Sequence, residues 1–246
     1  MEPLTLFQIA PDGPIESGSP FCIKVQRALT YKKVDYRTVN VNPARLRSVN
    51  PETGKVPVLD FGGESIHDST RILDRLEAFR PEPRLVPEDP RSAAWSHLLE
   101  DWADESLTFL TAYFRWKVDP HYAEFSRSAF SRMGAPMRFV FPPLVRTMTA
   151  FRLDQQGLGR LEPDRVKQIL DAHLDALQEL VVPDGFLLGG RPFRGDIAVF
   201  SVLRILVQPY MTEVRDRLIS RRRLYEWLGR VDELTRPAKA EPLPAR

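Results

Sequence analysis

Lys55-Val56-Pro57-Val58-Leu59 is the stretch around which the first third of the chain organises itself. A proline has no N–H to give to a sheet ladder, so Val56-Pro57 belongs at the start or edge of a strand, here one running over 56–61. Upstream, Thr5-Leu6-Phe7-Gln8-Ile9 is a short apolar run suited to a buried strand. Ser19-Pro20-Phe21-Cys22 follows and opens a helix. Pro20 fits the first helical turn, Ser19 is a natural N-cap, and Val25, Ala28 and Leu29 share one face. Downstream, His67-Asp68-Ser69-Thr70 opens another helix, whose apolar face carries Ile72, Leu73 and Leu76. Residues 39–41 read as a second strand, Gly62-Gly63 as a turn and 64–66 as a short fourth strand, antiparallel to the third. Strand and helix alternate, as in an α/β unit.

The composition changes at 81–90, which is rich in proline and charge and reads as a linker. Residues 1–80 then form one domain and 91–235 an all-α second one, with 236–246 a proline-rich, frayed tail. In the second half Trp95, Leu98, Leu99, Trp102, Leu110, Tyr113 and Trp116 recur near helical spacing, with Asp101, Asp104 and Glu105 on other faces. Glu162-Pro163-Asp164 starts a helix striped by Val166, Leu170, His173, Leu174, Leu177 and Val181. Residues 197–207 are apolar all round and read as the buried central helix, and 218–234 as the last one.

Particular residues point to chemistry. A hydroxyl at the start of a helix, such as that of Ser19, lies beside free N–H groups and the positive end of the dipole, where a thiolate is stabilised. A thiol of ordinary pKa near 8.5 is mostly protonated at neutral pH, so such help matters to a sulfur nucleophile. The N–H groups at the start of the helix opened by Asp68-Ser69 suit a carboxylate, and Asp68 suits an ammonium. Alone, each of these motifs is more often only a helix cap or a strand boundary.

In this order and separation, the three motifs resemble the glutathione-binding half of the glutathione transferase family. The resemblance implies a thioredoxin-like domain followed by an all-α domain, and attack of the glutathione thiolate on a small hydrophobic electrophile. It implies that Pro57 is cis, that Val56 offers its backbone to the peptide, that Asp68 and Ser69 hold the γ-glutamyl end, and that Ser19 donates to the sulfur. Arg45 or Arg47 would suit the glycine carboxylate. Phe109, Tyr113, Phe114 and Trp116 are candidates for the apolar pocket, against the alternative that aromatics at helical spacing are core. Homodimerisation is the family's habit. Phe186-Leu187-Leu188-Gly189-Gly190-Arg191-Pro192 with Asp196-Ile197-Ala198 resembles the family's signature before the buried helix. Phe193 stands where that signature has a capping Ser or Thr, which leaves Asp196 to build the cap. The segment 99–107 with 113–116 resembles a branch near metaxins and failed-axon-connections proteins. The loop 11–18 is longer than in many relatives. It is either an active-site wall or a surface insertion, and Ser17 within it rivals Ser19 for the sulfur.

Charge and composition narrow the alternatives. The net charge of the 246-residue chain is +2, so nothing demands nucleic acid or an anionic membrane. Arg221-Arg222-Arg223 reads as a solvated helix face. The one cysteine, Cys22, excludes an internal disulfide and dithiol exchange. The four histidines lack metal-ligand spacing, so no metal is expected. Met1-Glu2-Pro3 does not begin a secretory signal, and a reducing cytoplasm is the default. Three further functions stay open: a non-catalytic adaptor, a glutathione-dependent isomerase or reductase, and a thioltransferase using Cys22.

Overall fold

The computed structural model describes residues 4–131 and 133–244; the reading of Met1-Glu2-Pro3 and the end of the 236–246 tail lie outside them. Strand β1 (Leu4–Gln8) leads into α1 (Pro20–Tyr31), β2 (Tyr36–Asn40) and the single turn α2 (Leu46–Val49). A hairpin, β3 (Val58–Asp60) and β4 (Ser65–His67), is followed by α3 (Ser69–Phe79). The sheet order is β2-β1-β3-β4, with β2 parallel to β1 and β3 antiparallel to both of its neighbours. This is the thioredoxin-like arrangement. β3 starts two residues later than the apolar run suggests, because Pro57 cannot join the ladder and Val56 stays outside it. The Val56–Pro57 bond is cis. Leu6, Val25, Leu29, Leu59, Ile72 and Leu76 pack between sheet and helices, and Ile197 of the second domain closes the same core.

Helices α4 (Pro90–Trp102), α5 (Thr108–Trp116), α6 (Asp119–Ala129), α7 (Met137–Gln156), α8 (Pro163–Leu180), α9 (Arg194–Leu206), α10 (Thr212–Ser220) and α11 (Arg222–Thr235) make the second domain. α4 runs into α5 through a π-helical turn at Ala103–Leu107, with helical backbone angles at both joints. Every residue of α9 is buried, as its all-round apolar sequence predicts. Its cap is built on Asp196, whose Oδ2 accepts from the Phe193 N–H at 3.1 Å. Oδ1 of the same carboxylate accepts from the Leu187 N–H at 2.8 Å and from Trp227 Nε1 at 3.0 Å. Burial raises Asp196 to about 6 against these donors. Gly195 allows α4 and α9 to touch, since a Cβ there would stand 2.9 Å from the Ser96 carbonyl oxygen.

The loop 11–18 is neither an active-site wall nor a loose insertion. Asp12, Ile15, Glu16 and Ser17 are buried. Asp12 accepts from the Tyr210 hydroxyl at 2.8 Å, and Ile15 sits in the core of the helical domain. Glu16 pairs with Arg27 of α1, which also reaches Asp232 of α11 at 2.7 Å and lies over the Phe200 ring. A wholly buried guanidinium therefore ties the two domains together. The described part of the 236–246 segment lies against the helices: Leu243 packs on the core and the Glu241 carbonyl accepts from Arg204 at 2.7 Å. Arg221, Arg222 and Arg223 form surface ion pairs with Asp175, Glu226 and Glu179. Among the described residues no single helix is long and apolar enough to cross a membrane.

Candidate active site

A cavity of about 460 Å³ opens between the two domains, where the start of α1, the loop before β3, the start of α3 and one face of α4 meet. That volume is in the range of small-molecule sites. Val56, Pro57, Asp68 and Ser69 all line it. Asn50, 2% exposed, shapes the loop between α2 and β3 by donating to Thr53 Oγ1 at 2.8 Å and to the Lys55 carbonyl at 3.0 Å. Lys55 and Val56 thereby face the cavity. Lys55 is the cationic group that this loop brings to the cavity, and Arg71 of α3 also lines it; Arg45 and Arg47 do not.

Asp68 is the N-cap of α3. Its Oδ1 accepts from the N–H groups of Thr70 at 2.9 Å and Arg71 at 3.2 Å. It does so at φ 77°, a conformation that non-glycine residues rarely adopt. The cap uses one carboxylate oxygen and leaves Oδ2 outside it. Ser69, the first residue of α3, takes no part in the cap, so a capping role does not explain its hydroxyl.

Ser19 is half-buried at the N-cap position of α1, with extended backbone, but its hydroxyl makes no cap bond. Ser19 is not among the residues lining the cavity; Phe21, two residues on, marks the α1 end of it. Ser17 is fully buried. Its hydroxyl donates to the Ile9 carbonyl at 2.7 Å and accepts from the Ser19 N–H at 3.2 Å. Ser17 is thus a brace between β1 and α1, and Ser19 carries the freer hydroxyl. Cys22 is buried, and burial pushes its thiol up against the Ile9 backbone and the two serine hydroxyls, so it is a poor thiolate.

The opposite wall holds what sequence reasoning missed. Glu100, Asp101, Asp104 and Glu105 of α4 and the π turn line the cavity with His97. Beneath them Lys24 of α1, 1% exposed, pairs with Glu100 at 3.1 Å and with Asp104 at 2.5 Å. Thr70 donates to Glu100 at 3.0 Å, and Arg194 of α9 pairs with Glu100 and, at 2.7 Å, with Asp74. Burial alone would raise Glu100, yet Lys24 and Arg194 hold its carboxyl below the ordinary value. Burial wins at Asp104, reinforced by Glu100 and Asp68 and opposed by Lys24, and its pKa rises to about 6. The density of acids over 100–105 is the signal that could have found this wall.

The aromatic candidates do not form a pocket. Tyr113 and Phe114 are 3% and 1% exposed in the helical core, and the Tyr113 hydroxyl donates to the Leu161 carbonyl at 3.1 Å. Trp116 packs edge-on to Phe125, and Phe109 lies against the same core. None of the four lines the cavity. Helical spacing alone cannot separate a pocket face from a core face, and α5 turns these rings inward. His173 is half-buried and packs edge-on to Trp102. Among the described residues no three His, Cys, Asp or Glu side chains gather as metal ligands.

Comparison with known proteins places these features in context. Residues 17–84 match the family described as glutathione S-transferase, N-terminal domain. The chain is 25% identical over 216 residues to an isoprene-epoxide–glutathione S-transferase of Rhodococcus sp. (strain AD45), covering 82% of this chain and 85% of that one. It is 34% identical over 87 residues to the maleylacetoacetate isomerase of Rattus norvegicus, a match spanning 32% of this chain but only 40% of the isomerase. Its fold matches a glutathione S-transferase from Rhodospirillum rubrum F11 with a TM-score of 0.64 at 22% identity, covering 99% and 92% of the two chains. Glutathione transferase GSTFuA2 from Phanerochaete chrysosporium matches with a TM-score of 0.69 at 20% identity over 96% and 99%. These likenesses are to the broad family and do not single out a metaxin branch.

Proposed function

We propose that this chain, whose residues 17–84 match the glutathione S-transferase N-terminal domain, binds glutathione in the cavity between its domains and delivers the thiolate to a small electrophile. The observation that carries the reading is the convergence of Val56, Pro57, Asp68 and Ser69 on one cavity. In this reading the Val56 backbone, free of the β3 ladder, pairs with the peptide. The Ser69 hydroxyl and the first N–H groups of α3 hold the γ-glutamyl carboxylate, and Asp68 Oδ2 takes the ammonium. Lys55 meets the glycine carboxylate. Ser19 donates to the sulfur at the start of α1, where the helix dipole favours the thiolate. The second substrate meets an acidic helical wall instead of an aromatic one, which favours a small polar or cationic electrophile over a large apolar one. A homodimer in the cytoplasm accompanies this reading as a family expectation.

Titration calorimetry with glutathione tests it. At about ten times its dissociation constant, a ligand adds about 1.4 kcal/mol, which for a chain of this size raises the melting temperature by about 3 °C. Ser19→Ala should leave binding nearly unchanged, slow conjugation of a generic electrophile and raise the apparent pKa of the bound thiol. An unchanged pH–rate profile would move the sulfur contact to the backbone N–H groups of α1. Neither heat nor a melting shift at millimolar glutathione would overturn the reading in favour of a non-catalytic scaffold. An isomerase is the second reading, favoured by the 34% identity to the rat enzyme; turnover of a cis-dienoic acid without net conjugation would select it.

A further inference from the structure

Helix α7 carries its apolar side chains on the wrong side for a core. Among the described residues, six of the thirteen exposed large apolar side chains lie on this one helix: Met137, Phe139, Val140, Leu144, Met148 and Phe151, from 46% to 68% exposed. At about 100° per residue, Met137, Val140, Leu144, Met148 and Phe151 fall on a single stripe. Pro142 and Leu153, which are buried, fall on the opposite face. The helix is held in that orientation. Arg146 donates from Nε to the Trp116 carbonyl at 2.8 Å and lies over the Tyr122 ring, and Leu153 is locked in the core. Single exposed apolar residues are ordinary, but an ordered stripe roughly 20 Å long marks an interaction surface.

The charge around the stripe says what kind. Residues 125–153 contain five arginines and no aspartate, glutamate or lysine, in a chain whose 35 basic and 33 acidic residues otherwise nearly cancel. Two of the five are paired, Arg127 with Glu124 at 2.7 Å and Arg146 with Asp119. Arg138 and Arg152 are exposed and flank the stripe on one side, toward its two ends. A second copy laid antiparallel on the same face would set one arginine rim on the other, with no acid in the segment to separate them. An anionic bilayer complements both features at once: headgroups meet the arginines while the stripe enters the acyl boundary, as in helices that lie in the membrane plane.

We propose that α7 docks the protein peripherally on anionic lipid bilayers. The test is co-sedimentation of the full chain with phosphatidylcholine vesicles and with vesicles containing about a third phosphatidylserine. Partition should favour the anionic vesicles by about tenfold or more and fall with added salt. Leu144→Gln with Phe151→Gln should reduce it by about tenfold or more, and Arg138→Gln with Arg152→Gln by about tenfold. All four side chains are exposed, so circular dichroism and melting should match the wild type, and glutathione affinity should not change. Absent binding, equal binding to neutral vesicles, or variants that bind like the wild type would overturn the proposal. So would a dimer in light scattering that the Leu144→Gln, Phe151→Gln pair dissolves, which would give the face to a second copy.

Discussion

Replacing Asp104 by asparagine should change how stability depends on pH more than it changes stability at any one pH. In the folded protein the Asp104 carboxyl titrates near 6, against an ordinary value of 3.8, because burial outweighs the attraction of Lys24. The folded state therefore holds the proton more tightly than the unfolded chain. The stabilisation from that proton is complete below about 3.8 and is lost as the pH climbs through about 6. At 1.36 kcal/mol per pH unit, the loss amounts to about 2–3 kcal/mol. Asparagine cannot titrate, and Lys24 keeps Glu100 at 3.1 Å, so the variant should fold. Asp196, also near 6, gives the wild type a second loss of the same sign, and the variant retains that one. Urea midpoints followed from about pH 4 to about pH 7 should thus fall less steeply in Asp104→Asn than in the wild type, and the difference between the two curves is the contribution of Asp104. Parallel curves would mean that Asp104 titrates alike in both states, and the account of its burial would be wrong.

Other substitutions separate structure from binding. Asp68→Ala should cost about 1 kcal/mol in stability by uncapping α3, whereas Ser69→Ala should leave the urea midpoint within about 0.5 kcal/mol and weaken glutathione binding by about tenfold or more. A lowered midpoint with unaltered affinity in Ser69→Ala would withdraw it from the site. Arg27→Met should destabilise by about 3 kcal/mol, below the upper end for a broken buried pair, because Glu16 keeps Arg204 at 3.7 Å and Asp232 keeps Arg236 at 3.0 Å. A midpoint within about 0.5 kcal/mol of the wild type would deny that this guanidinium joins the domains. Cys22 should react with a thiol reagent far more slowly in the native protein than in denaturant; equal rates would contradict its burial.

The parts of the site that were legible in the sequence rest on local stereochemistry. Pro57 cannot join a ladder, Pro20 starts a helix, and Asp68 caps the next, whatever lies around them. The rest depends on where distant segments meet. Whether Tyr113 and Phe114 face a pocket or the core is decided by how α5 rolls against α9, which helical spacing does not encode. Lys55 lines the cavity, and Arg45 and Arg47 do not, because Asn50 folds the intervening loop back on itself. Lys24 looks like one more surface lysine until α4 brings Glu100 and Asp104 to it. Asp196 could be anticipated as the cap because Phe193 offers no oxygen, but its bond to Trp227 could not.

The π turn at Ala103–Leu107 works as a change of phase in one continuous rod. It accommodates one more residue than an α-turn would, so the two halves of the rod are out of step by roughly 100°. That offset lets the first half aim Glu100 and Asp101 at the cavity, with Asp104 in the turn itself beside them, while the second half turns Leu110, Tyr113 and Phe114 into the core. A strictly regular helix would have to surrender one of these alignments. The turn is thus a point at which the shape of the acidic wall can be altered by gaining or losing a single residue, with the packing of the helical domain beyond it left in register.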